Sequence, residues 1–148
     1  MQTLRTLLVA AMAAAQIPAH AMRTDPVLVT NVLQGDAIEV VSLGRVRLLG
    51  IDAPANERRL LTPDPVGRAA VERLTSLVAH RWVRLEFESR GSSSHAAYVV
   101  LEDGTFVNAV LAREGLARVT THATSARARE LTDAQAAAQA SRRGLWGR

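Results

Sequence analysis

No cysteine occurs among the 148 residues, which excludes disulfides, thiol nucleophiles and cysteine-based zinc sites. Lysine is absent too, so all 18 basic residues are arginines. Aromatic residues make up only 3% of the chain, too few for an extended platform on which bases could stack. The net charge of +4 and the pI of about 11.1 come from scattered arginines with no basic block. Such a charge permits binding to phosphates or anionic surfaces without requiring it. The one long apolar run, residues 6–15 (TLLVAAMAAA), falls well short of the ~20 residues that span a bilayer.

That run has a function of another kind. A short basic start, Met1 to Arg5, precedes it, and Ala19-His20-Ala21 is a small-x-small site. This is the pattern of a secretory signal cleaved after Ala21. Its removal leaves 17 arginines against 14 acidic residues, net +3. A periplasmic or secreted protein is expected, with no stable membrane insertion after cleavage. Residues 22–148 have the size of one domain, and 48% hydrophobic content is enough for a core.

The most informative stretch is 44–54 (GRVRLLGIDAP). Val46 and Leu48 alternate with arginines, as in a strand. The strand ends at Asp52-Ala-Pro, since proline donates nothing to a ladder and forces its predecessor to be extended. Arg47 shares strand parity with Leu49 and Ile51, so its face is partly apolar. A guanidinium there is costly without an anion beside it. Two readings fit: a structural ion pair with Asp36 or Asp52, or an arginine held for a phosphate beside a carboxylate held for a metal.

The flanking chain supplies the frame. Residues 26–34 read as a first strand and Ile38, Val40 and Val41 as a second, with Gly turns on either side of it. Asp64-Pro65 starts a helix with an N-cap acid and a first-turn proline, and Ala70, Leu74, Leu77 and Val78 continue it at helical spacing. Residues 82–87 and 96–101 read as the fourth and fifth strands. A short helix over 106–113 is closed by Gly115, 116–119 adds an extended piece, and a thinly apolar last helix covers 126–143. Tyr98 and Trp82 read as core residues. The expected fold is a five-stranded Greek-key barrel with about three helices.

The chain from about Val27 to Trp146 resembles the staphylococcal (thermonuclease) nuclease family. The resemblance is carried by Gly35-Asp36, 45–54 (RVRLLGIDAP), 67–70 (GRAA), 97–99 (AYV), 103–108 (DGTFVN), 111–117 (LAREGLA) and 144–146 (GLW). It implies an OB-fold barrel and a calcium-dependent phosphodiesterase ancestry acting on DNA and RNA. It places Asp36 and Asp52 on the two metal-binding aspartates and Arg47 on the strand arginine that grips the scissile phosphate.

Two other family roles lack their residue. The glutamate that acts on water belongs directly after Ala-Pro, where this chain has Ala55. The second arginine belongs four residues before Tyr98, where it has Ser94. A positioned base contributes roughly 10²–10⁴-fold and a charge-stabilising donor roughly 10²–10³-fold, so either loss cripples turnover. Glu57 is the candidate replacement base, and Arg90 the candidate second phosphate ligand. Fewer carboxylates also mean weaker calcium binding. The expectation is an exported, catalytically impaired domain that acts as a monomeric binding module, with nucleic acid a possible ligand. The alternative is an active secreted calcium-dependent endonuclease using Glu57.

Overall fold

The computed structural model describes residues 22–55, 64–88, 95–121 and 125–147. Strand β1 is Met22–Arg23, β2 Val27–Gln34, β3 Ala37–Val40, β4 Gly44–Leu48 and β5 Ile51–Asp52. Helix α1 spans Pro65–Val78, followed by β6 at Trp82–Phe87 and β7 at Ala96–Leu101. Helix α2 is Val107–Arg113, β8 is Arg118–Val119, α3 is Ala126–Ala140, and a 3-10 turn covers Gly144–Trp146.

Strands β6, β2, β3, β4 and β7 follow one another around a sheet that closes where β6 also pairs with β7, giving a five-stranded barrel. All its pairings are antiparallel except β4 with β7, which is parallel. Closure removes the exposed edges an open sheet would present. The barrel and three helices agree with the sequence expectation. β1 lengthens the β6 edge and was not legible from the sequence. A register shift between Val29 and Asn31 explains why Val29 is buried while Thr30 and Asn31 are both exposed. A bulge of this kind bends the strand into the curve of the barrel.

Alternation fills the interior. Val29, Ile38, Val46, Leu48, Val83, Leu85 and Val99 are at most 2% exposed. Helix α1 is capped as read, Asp64 Oδ1 accepting from Val66 N at 2.9 Å with Pro65 in the first turn, and it buries Ala70, Leu74 and Val78. Helix α3 buries only Ala128, Leu131, Ala134 and Ala138, capped by Ser125. Small side chains on that stripe let it lie close against α2. It ends at Ala140, short of the expected 143, because Arg142 has φ +50 and the chain has left the right-handed helix.

Trp82 corrects a second expectation. It is 53% exposed, since it shares the outward parity of Arg84 while Val83 and Leu85 point inward. Tyr98 is core, at 2% exposed, and meets Phe106 edge-to-face at 5.5 Å.

Candidate functional site

Asp36 sits at the turn between β2 and β3, and its carbonyl accepts from Leu48 N at 2.8 Å. It therefore lies across from the end of β4, where Ala37 is the partner of Arg47. The turn is clamped from below: a Cβ on Gly35 would come within 2.6 Å of the Ala70 Cβ and 2.9 Å of the Ala53 Cβ. Only glycine lets helix α1 and the strand-exit loop press on this turn together, and that pressure buries the Asp36 side chain to 4% exposure.

β4 stops at Leu48, and Gly50 turns the chain with φ +79, a conformation glycine adopts at little cost. β5 then runs in a separate two-stranded sheet with β8, pairing Ile51 with Val119 and Asp52 with Arg118. The turn breaks the parity inferred from sequence. Ile51 belongs to another sheet, and Arg47 projects outward with its side chain 54% exposed. The same turn brings Asp52 back toward Arg47.

The three residues meet. Arg47 Nη2 donates to Asp36 Oδ2 at 3.0 Å and to Asp52 Oδ1 at 3.3 Å. Asp36 Oδ2 also accepts from Ala53 N at 3.3 Å. Both structural ion pairs considered from the sequence are present at once, through a single nitrogen. A guanidinium carries five N–H donors in a rigid fork. Nη1 and Nε make no hydrogen bond or ion pair among the described residues, and they lie on the half-exposed side chain. Beside the cradle, Arg47, Leu49, Gly50, Asp52, Ala96 and Thr120 line an open groove of about 340 Å³. Among the described residues, no aromatic side chain lines it.

Asn108 fixes the floor of this groove. Fully buried, it accepts from Val99 N through Oδ1 at 3.0 Å and donates through Nδ2 to the Leu49 carbonyl at 2.9 Å. It thus ties α2 and β7 to the residue before the Gly50 turn. Its sequence context gives no hint of this role.

Arg118 is the site neighbour that the sequence reading missed. Opposite Asp52 in the small sheet, its guanidinium lies 4.9 Å from the Trp146 ring centroid, a cation–π arrangement. The short extended piece read at 116–119 was the available signal. Ala55, at the missing glutamate position, is described and exposed. Glu57, Arg90 and Ser94 lie outside the described residues.

Calcium takes six to eight oxygen ligands. The cradle offers two carboxylates, and one oxygen of each already faces Nη2. An ion placed between them would sit against the guanidinium. At about 4 Å and an effective dielectric near 20, a divalent cation and a unit charge interact by ~8 kcal/mol. The arginine would thus cancel what one of the two aspartates contributes. No group of three or more acidic or histidine side chains able to hold a metal occurs among the described residues. The described residues do not by themselves fit the ion.

The family model described as staphylococcal nuclease homologue matches residues 45–148. The chain belongs to the staphylococcal nuclease family. A thermonuclease of Staphylococcus intermedius is 34% identical over 134 residues, spanning 86% of this chain and 79% of that relative. The staphylococcal nuclease match begins at the strand that carries Arg47 and includes Asp52, while Asp36 precedes it. Among the described residues, no helix is long and apolar enough to cross a membrane.

Proposed function

We propose that this staphylococcal nuclease domain binds phosphodiester polymers, nucleic acid among them, and cleaves them at a negligible rate. The observation that carries the reading is Arg47, fixed through Nη2 between two aspartates, with Nη1 and Nε making no hydrogen bond among the described residues. Nη1 and Nε can each still donate to a phosphate oxygen, singly rather than as a fork, because both bidentate edges of a guanidinium include Nη2. Ala55 stands where a group would have to take a proton from water, and a methyl group takes none. With Ser94 at the position of the second arginine, stabilisation of developing charge is missing too.

Among the described residues, the groove beside Arg47 offers no ring for a base to stack on. Contact is therefore to the backbone phosphate, independent of sequence and weakened by salt. We also infer export through a leader of residues 1–21 cleaved after Ala21, which places the domain in the periplasm or outside the cell. There it meets nucleic acid from lysed cells or other anionic polymers.

Incubation of plasmid DNA with the purified domain, in calcium and in chelator, tests the reading. No conversion to open-circular or linear form is expected in either. Chelator-sensitive cleavage abolished by Arg47→Ala would instead establish an active endonuclease with a substitute base such as Glu57.

A further inference from the structure

We propose that Arg47 is a built-in replacement for the family's metal ion, so that the Asp36–Asp52 cradle is complete without calcium. The geometry assigns this role directly. A cation linking two carboxylates holds them together and offsets their charge. Nη2 of Arg47 does both, at 3.0 and 3.3 Å. The buried partner, Asp36, is held through Oδ2 by two donors, Arg47 Nη2 and the Ala53 N–H.

Local structure explains why the arginine can stand in. β3 and β4 set Asp36 and Arg47 in adjacent cross-strand positions, and the Gly50 turn returns Asp52 to the same nitrogen. The nearest position that could add a third carboxylate by direct extension of the loop, residue 55, is alanine. With only two carboxylates, a single guanidinium nitrogen reaches both. With three, a divalent ion would compete better, since affinity follows ligand charge. The inference deepens the proposed anion-binding role, and it rests on that role only for the Nη1 and Nε donors of Arg47.

Thermal unfolding without nucleic acid separates the two. The melting temperature of the wild-type domain should be the same in chelator and in ~10 mM calcium, a level that fills weak extracellular sites. Arg47→Met removes the internal cation and leaves the two aspartates free for a divalent ion. Its melting temperature should rise by about 3–6 °C on adding calcium. The Arg47→Met/Asp36→Asn double variant should lose that gain. Arg47→Lys, which keeps a cation, should stay insensitive.

If Arg47→Met does not fold in chelator, recovery of its native circular dichroism in calcium reads the same gain. If calcium recovers nothing, Arg47→Gln, neutral but able to donate an N–H, replaces it in the comparison. A wild-type rise as large as that of the variant would overturn the inference, as would no calcium response in either neutral variant. Failure of oligonucleotide binding with this pattern intact would count against the proposed function alone.

Discussion

Arg47 of β4 and Asp36 of the β2–β3 turn form an ion pair in which the arginine is 54% exposed and the carboxylate 4% exposed. The asymmetry decides what each contributes. Asp36 is the group that cannot turn to water, and Arg47 is the group that holds it while facing solvent. Arg47→Ala therefore leaves a buried carboxylate with the Ala53 backbone N–H as its remaining donor among the described residues. Water entering from the exposed side tempers the penalty, so a loss of ~1–3 kcal/mol is expected. Asp52 is 60% exposed, and Asp52→Asn should cost under about 1 kcal/mol. Urea denaturation of both variants checks the ordering.

Asn108 carries the second prediction. Asn108→Leu removes both of its hydrogen bonds and leaves the Val99 N–H and the Leu49 carbonyl without them. Each unsatisfied group costs about 1–3 kcal/mol, so the variant should lose ~2–4 kcal/mol in denaturant melts. Because Leu49 lines the groove beside Arg47, oligonucleotide affinity should fall as well under conditions where the variant remains folded.

Glu86 gives the domain an acid limit. Burial pushes its carboxyl up, but the bidentate hydrogen bonds and charge of Arg127, with Arg23 adding to them, outweigh burial and hold it below the ordinary value. A depressed carboxylate stabilises the fold above its unfolded pKa, and that contribution is lost as pH falls through the folded value. Stability should therefore decline from the ordinary glutamate value of 4.5 downward. Glu86→Gln should be less stable at neutral pH and show a flatter profile below that value. Thermal melts across acidic buffers measure it.

Restoring the missing groups tests the account of the lost activity. Ala55→Glu adds a third carboxylate to the loop after Pro54, and Ser94→Arg returns the second cation. If the cradle is otherwise sound, the double variant should cleave plasmid in calcium where the wild type does not. The gain should reach at least ~10²-fold, the smaller of the two contributions expected for a base and a charge-stabilising donor. Ala55→Glu alone should also make the fold calcium-responsive.

The barrel was legible because its signals are local. Alternating valines and leucines, the Asp64-Pro65 cap and the Gly turns each mark an element without reference to the rest of the chain. The cradle was legible only as a set of names. Asp36, Arg47 and Asp52 were identified through family motifs, whereas the reason they meet, the Gly50 turn into a second sheet, breaks the strand parity that seemed to govern Arg47. Asn108 and Arg118 escaped because their roles depend on partners 59 and 28 residues away in sequence, Leu49 and Trp146. Trp82 misled because a large aromatic in an alternating strand reads as core, while its parity places it outside.

The central claim is that the phosphate-binding arginine persists where the hydrolytic groups are gone. Fluorescence anisotropy of an end-labelled single-stranded oligonucleotide, titrated with the domain in chelator at low salt and followed after excess calcium is added, reads both halves at once. The account predicts saturable binding in chelator, lost in Arg47→Ala, and a signal that holds steady once calcium is present. Equal binding by Arg47→Ala, or a signal that decays as calcium-driven cleavage releases the label, would contradict it.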